Sequence, residues 1–371
     1  MSILSGECLV VTENGLKKLS SVSQERVLTD DGYRTINIKP LGEVGCFSVR
    51  TKFGYEVALV EGELLVRGNG WKRFRDLPEK CEVRLLDARE VTYPQDYSFP
   101  VDPTNYRRRH YDSNGRNRLH LTKFVNLPEK WTEGFAEFVG YLVGDGYVGL
   151  HNYTVCIEVA NNTLMREKWK SFFENLGWKV TIVRQSSSTR VVTSGKSLTD
   201  FLQALGVSTR RARGKVVPFS VLEAPRDVVA AFLRGLYSAD GTVFTHKNAT
   251  KAVVLSSTSD KLIEQCQILL LYLGIRSNRK KYGLNSRVPQ GHEYSYELNY
   301  LYVTSHRNEF EKEIGFLEGE KREKLKEINS KYAVRPYRHP EFDKLSSIKT
   351  FDISPACEVD VPIYANGILV R

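Results

Sequence analysis

The chain has 371 residues, 41% of them hydrophobic and 26% charged, and a net charge of +10; that is ordinary for a globular protein and long for a single core, so two or more domains are expected. No apolar run reaches 18 residues, and the start, "MSILSGECLVV", lacks a basic segment followed by a long apolar one, so neither a transmembrane helix nor a secretory leader is expected. Six scattered cysteines form no CxxC pair and seven histidines show no HxxxH spacing, which argues against a zinc site or a disulfide framework and for a reducing, intracellular setting (cytoplasm, nucleoid or nucleus).

Residues 1–92 read as β-rich: short runs such as "CLVVT", "CFSVRT", "YEVALV" and "ELLVRG" alternate with the turn signals ENG, DDG, KFG and GNG. Residues 93–131 are rich in Pro, Tyr and Arg with little periodicity, and read as a basic arm. From residue 132 helical and strand-like patterns alternate, and the pattern repeats. Two halves, 132–208 and 216–335, each run helix, Asp-Gly, two strands, helix, two strands, helix. The expected fold class is therefore α+β, with two αββαββα halves that carry helices on one side of an antiparallel sheet. The last stretch, "ACEVDVPIYANGILVR", returns to the β-rich character of the start, so residues 345–371 are grouped with it.

The two repeats hold the chemistry. "FVGYLVGDGYVG" (138–149) ends an apolar helix in Asp145, and "FLRGLYSADGTV" (232–243) ends its counterpart in Asp240. Gly140 matches Gly235 and Gly144 matches Ala239, so each helix carries small residues four apart on one face. Glycine inside a helix costs about 1 kcal/mol relative to alanine, and a close helix–helix approach is the reason to accept it. Packed so, the helices bring Asp145 and Asp240 together, with Gly146 and Gly241 expected in left-handed C-cap conformations. Two carboxylates at two helix C-termini repel each other and oppose both dipoles. A divalent cation resolves this, with carboxylate and carbonyl oxygens as hard ligands suited to Mg²⁺.

The basic residues cluster. Residues 105–123 carry Arg107, Arg108, Arg109, Arg116, Arg118 and Lys123; 209–215 carry Arg210, Arg211, Arg213 and Lys215; 275–287 carry Arg279, Lys280 and Lys281 among others. Such loops, interleaved with Tyr and Asn, suit phosphate contacts on nucleic acid. With the paired acids they point to metal-assisted phosphodiester hydrolysis.

The two Asp stretches resemble the motifs of monomeric LAGLIDADG homing endonucleases, and the resemblance spans about 132–335. It implies a metal-dependent double-strand DNA endonuclease, monomeric, using Mg²⁺ with Mn²⁺ as a substitute, on a long asymmetric DNA target. It implies metal ligation by Asp145 and Asp240 with the carbonyls of Gly144 and Ala239. It also implies basic residues near the scissile phosphate at Lys196 in "TSGKSL" and Arg307 in "TSHRNEF", where the family more often has Lys than Arg.

The flanking β region, 1–92 with 345–371, resembles the Hint splicing fold of inteins. The expected nucleophile position holds Ile3, the T-x-x-H block reads Val60-Glu61-Gly62-Glu63, and the chain stops at Arg371 instead of His-Asn. Splicing needs a nucleophile, a proton-shuttling base and a cyclising Asn, so a splicing-incompetent scaffold is expected, serving as a DNA-binding extension. Two other readings compete: a LAGLIDADG-type DNA-binding regulator that does not cut, and a splicing-active intein with unusual termini and Ser2 as nucleophile.

Overall fold

The computed structural model describes residues 1–106, 126–160, 163–208, 212–245, 250–287 and 293–371. Both β-rich ends join one 13-stranded sheet. Its longest members, Ile38–Thr51 and Phe342–Val359, run antiparallel from Val359↔Ile38 to Leu345↔Thr51. The first strand, Ser2–Ser5, pairs with the C-terminal segment from Ser2↔Val359 to Ser5↔Ala356. The two ends thus share one sheet, here called the β body, and its C-terminal strands begin at Phe342.

The middle of the chain follows the repeat. The first half is α1 (Glu133–Asp145), strands Gly146–Gly149 and Thr154–Ala160, α2 (Thr163–Asn175), strands Thr181–Arg184 and Ser188–Ser194, and α3 (Lys196–Ala204). After a short α4 (Phe219–Leu222) the second half is α5 (Arg226–Asp240), strands Gly241–Phe244 and Ala252–Ser257, α6 (Asp260–Tyr272), strands Asn278–Arg287 and Glu293–Val303, and α7 (Arg307–Glu313). Each half has a four-stranded antiparallel sheet with the same order: first, second, fourth, third strand. An additional helix, α8 (Glu320–Lys331), follows the second half.

Local signals account for the helix starts. Thr132 accepts a hydrogen bond from the Phe135 amide at the head of α1, and Ser259 accepts one from the Leu262 amide at the head of α6. Each sheet turns one face inward: Val155, Ile157, Val159 and Val191 in the first, and Val253, Leu255, Leu301 and Val303 in the second, are buried under helices. Helix α6 is buried nearly all round because it lies between the second sheet and the β body. Gln267 donates to the Phe53 carbonyl (2.8 Å), Asn366 donates to Glu264 (3.1 Å), and Tyr93 donates to the Tyr272 carbonyl (2.6 Å). The two parts thus share buried contacts on both flanks of one helix.

A candidate metal centre at the ends of two helices

Helices α1 and α5 cross at their glycines. A Cβ on Gly140 would lie 1.9 Å from the Phe232 carbonyl oxygen, and one on Gly235 would lie 2.0 Å from the Glu137 carbonyl oxygen. The backbones therefore touch where the sequence alignment places small residues, and one turn on a Cβ at Gly144 would meet Ala239 at 2.5 Å. Both helices run straight into the first strand of their sheet. Gly146 and Gly241 are extended (φ −135° and −82°), so the expected left-handed caps do not form. Glycine is needed there for space: added Cβ atoms would meet the carbonyl oxygens of Cys156 (2.7 Å) and Leu142 (2.8 Å) in one case and of Tyr237 (2.4 Å) in the other.

Asp145 and Asp240 consequently stand side by side, close enough for each carboxyl group to shift the pKa of the other. Asp145 reaches solvent and Asp240 is half-buried. Dense surroundings remove much of the water near both groups. Burial raises the pKa of Asp145, and burial followed by the charge of Asp145 pushes Asp240 up to about 7. The pair titrates as a unit that shares one proton.

Two lysines oppose the pair. Lys215 donates to the Gly144 carbonyl, and Lys321, on α8, donates to the carbonyls of Ser238 (2.7 Å) and Ala239 (2.8 Å). Both lower the carboxyl pKa values through their charge. Burial lowers the pKa of Lys321 while the two acids raise it. Each lysine sits at the negative end of a helix dipole, where a cation is favoured. These two were not singled out from the sequence as site residues. No common spacing marks them: Lys215 lies nine residues after Gly206, and Lys321 six after Gly315.

The two bases expected at the site, Arg307 and Lys196, have other partners. Arg307 is buried and its guanidinium is fully engaged, donating to Asn329 (3.1 Å) and to the carbonyls of Lys251 (3.1 Å), Thr304 (3.2 Å) and Tyr332 (2.9 Å). It ties α7 to the end of α8. Lys196 begins α3, pairs with Asp200 (3.4 Å) and lies over the Tyr153 ring (4.6 Å), while the lysines acting on the acids are Lys215 and Lys321. Of the expected DNA contacts, Arg279 is also corrected: it is buried and paired with Glu56 (2.7 Å), joining the second half to the β body. Arg213 and Lys280 are exposed, and Lys281 is exposed but paired with Glu297 (2.7 Å). Arg107, Arg108, Arg109, Arg116, Arg118, Lys123, Arg210 and Arg211 lie outside the described residues.

No cluster of three or more His, Cys, Asp or Glu side chains forms among the described residues. Two carboxylates and two neighbouring carbonyls are a partial hard-oxygen set. That fits a small divalent cation which completes its shell with water and substrate phosphate oxygens.

A family profile described as "LAGLIDADG-like domain" matches residues 227–315, which includes α5 and Asp240. Among curated proteins the chain is 29% identical over 237 residues to a probable translation initiation factor IF-2 of Thermococcus kodakarensis, covering 62% of this chain and 18% of that protein. It is 28% identical over 192 residues to the replicative DNA helicase DnaB of Synechocystis sp., covering 46% and 22%. It is 27% identical over 275 residues to the ATP-dependent DNA helicase Hel308 of Methanocaldococcus jannaschii, covering 70% and 22%. The chain spans about a fifth of the length of these relatives. Among solved structures it is similar to the homing endonuclease I-DmoI in complex with DNA and Ca (19% identity, TM-score 0.35, covering 53% of this chain and 98% of that one). It is also similar to full-length DUF199/WhiA from Thermatoga maritima (12% identity, TM-score 0.35, covering 59% and 67%).

Proposed function

We propose that the chain is a site-specific double-strand DNA endonuclease that hydrolyses phosphodiester bonds with a divalent metal ion. The observation that carries this reading is the carboxyl pair of Asp145 and Asp240, pressed together at two helix C-termini, where their oxygens form the hard-ligand set a divalent cation takes. The LAGLIDADG-like match over the second half supports it.

In this reading Asp145 and Asp240 would hold Mg²⁺, with Mn²⁺ as a substitute, and the carbonyls of Gly144 and Ala239 would join them through the lone pairs that Lys215 and Lys321 leave free. The ion supplies charge that stabilises the attacking and leaving oxygens. Lys215 and Lys321 direct positive charge at the same place, where charge develops on the phosphate. The two sheets bind the duplex in its major groove, and the basic loops add phosphate contacts along a long asymmetric site. One chain supplies both acids, so a monomer suffices.

The β body is read as a Hint scaffold that has lost splicing and lengthens the DNA footprint. Two observations support this. The relatives carry names as different as a translation initiation factor and two helicases, yet each matches part of this chain over about a fifth of its own length. A segment common to otherwise dissimilar proteins is what an inserted element leaves. Where Ser2 meets the C-terminal strand, its hydroxyl is buried and has no hydrogen-bond partner among the described residues, and nearby Glu63 is paired with Arg371 (2.5 Å). A hydroxyl without a base is a poor nucleophile.

The test is cleavage of a randomised duplex library with Mg²⁺, sequencing the cut ends, for the wild type and for Asp145→Asn and Asp240→Asn. Each variant should lose double-strand cutting and keep specific binding, because phosphate contacts that supply much of the affinity lie elsewhere. Wild-type cutting by either variant would refute the mechanism. A wild type that binds specifically and cuts nothing would favour the DNA-binding regulator.

A further inference from the structure

The two sheets present different chemistry on the faces that the helices leave open. In the second sheet, Val254 pairs with Thr242 and Tyr302, and Ala252 pairs with Phe244, which places these residues on one face; Tyr300 and Lys280 pair with each other on the same face. The rings form a continuous row: Phe244 to Tyr302 at 6.3 Å, Tyr302 to Tyr300 at 5.9 Å, and Tyr300 to Tyr282 at 5.5 Å between centroids. Tyr282, at the outer strand, is 43% exposed, and Lys280 stands over the Tyr302 ring at 5.9 Å.

The first sheet differs at matching depth. Among the described residues of its four strands the open face carries one aromatic ring, Tyr147. Its middle is a charged pair. Glu158 and Arg190 are direct cross-strand partners, and Arg190 Nε donates to Glu158 at 3.1 Å while Ser188 donates to the same carboxylate at 2.5 Å. Their side chains remain 39% and 42% exposed for Arg190 and Glu158, so the pair is held and still accessible.

We infer that the two halves read the duplex by different means. The sheet of residues 241–303 takes a half-site rich in A·T pairs by packing its ring row against thymine methyl groups. The sheet of residues 146–194 reads a G·C pair, with Arg190 on guanine and Glu158 accepting from cytosine. The methyl group marks thymine in the major groove, where apolar side chains recognise it. Arg on guanine O6 and N7, and a carboxylate on cytosine N4, are the polar counterparts. The ring faces of Phe244 and the three tyrosines offer apolar surface to a methyl group, whereas a G·C edge asks for the fixed donor and acceptor that Arg190 and Glu158 supply. A buttressed Arg–Glu pair has no apolar surface with which to hold a methyl group. Lys280 beside the rings and the net charge of +10 suit a polyanion as the occupant of this face.

This inference rests on the DNA-binding reading above, and the experiment separates the two. The full chain, with Ca²⁺ in place of Mg²⁺, selects duplexes from a randomised library. In the best site, thymine is then replaced by uracil in one half at a time, which removes only the methyl groups. Affinity should fall about fourfold for each methyl lost from contact, and in one half alone. Tyr282→Ala and Tyr300→Ala proteins should lose that sensitivity. Arg190→Ala should relax the preference at one G·C position in the other half by about tenfold or more. Equal uracil effects in both halves would overturn the inference, as would uracil sensitivity retained in both Tyr variants. A library from which no sequence is enriched would sink the DNA-binding reading itself, and this one with it.

Discussion

Replacing Gly140 by alanine tests the crossing that brings the acids together. The added Cβ would lie 1.9 Å from the Phe232 carbonyl oxygen, where ordinary contact begins at 3.4 Å. The obstacle is backbone, which no rotamer change can move, so the helices must separate by about 1.5 Å. Overpacking of this kind costs typically about 1–3 kcal/mol, and a rigid backbone contact belongs at the upper end. Alanine returns at most about 1 kcal/mol of helix propensity. The net expectation is a loss of about 2 kcal/mol. Gly134, in the same helix, has nothing within 4 Å of its would-be Cβ, so Gly134→Ala should be neutral or stabilising by up to about 1 kcal/mol. Urea denaturation of the two variants therefore gives shifts of opposite sign. Cleavage by Gly140→Ala should also fall about a hundredfold, because a displacement near 1 Å at a reacting centre has that effect. A Gly140→Ala protein as stable as Gly134→Ala would refute the close crossing and the account of why the carboxylates meet.

The shared proton predicts a pH dependence. Asp240 is raised from 3.8 to about 7 in the folded chain, so the folded state binds the extra proton between those values and stability falls as pH rises through that window. Unfolding in chelator at pH 5 and pH 8 should show lower stability at pH 8, and Asp240→Asn should remove most of the difference; equal wild-type stabilities would contradict the raised pKa. Lys321→Met removes the ammonium group that donates to the Ser238 and Ala239 carbonyls; it should slow cleavage about a hundredfold at saturating DNA with little change in binding, and unimpaired cleavage would remove Lys321 from the site. Arg307→Ala should destabilise by about 2–4 kcal/mol, since it leaves buried carbonyls without donors, while cleavage per folded molecule persists. A stable Arg307→Ala protein that no longer cuts would return Arg307 to the reaction.

The repeat made much of this architecture legible. Helix and strand periods are local, so αββαββα could be read twice, and aligning the halves exposed Gly140 with Gly235 and Asp145 with Asp240. Partners distant in sequence were less accessible. Arg307 and Lys321 are both bases near the end of the second half, and charge alone does not tell a buried clamp from a site cation. Carbonyls converge on both side chains; the difference lies in whose they are, the Ser238 and Ala239 carbonyls beside Asp240 for Lys321 and the Lys251, Thr304 and Tyr332 carbonyls for Arg307, which only the fold decides. Arg279 is a similar case: Lys281 shares its strand face and is exposed, while Arg279 is covered because the β body packs there through Phe53 and Glu56. Helix α8 did carry a sequence signal, the Glu320–Lys324 and Glu327–Lys331 spacings that become i,i+4 ion pairs.

The electrostatics of the acid pair explain why two helices end in the wrong charge. A cation at a helix C-terminus is worth about 0.3–1 kcal/mol at an exposed position, so Lys215 and Lys321 offset only part of the repulsion between two desolvated carboxylates. What they leave is taken up by a proton whose affinity sits near neutrality. A fully relaxed structural site would have neutralised the pair with a buried arginine, as Glu56 is neutralised by Arg279, or would have replaced one acid by an amide. Here both acids remain, both lysines bind carbonyl oxygens instead of closing ion pairs with the carboxylates, and the residual charge is left exchangeable. Metal ions bind deprotonated ligands and displace protons from them. A pair that holds its proton only up to about pH 7 would yield it readily to a divalent ion held by Asp145 and Asp240, and Lys215 and Lys321 would add positive charge for a phosphate at the same place.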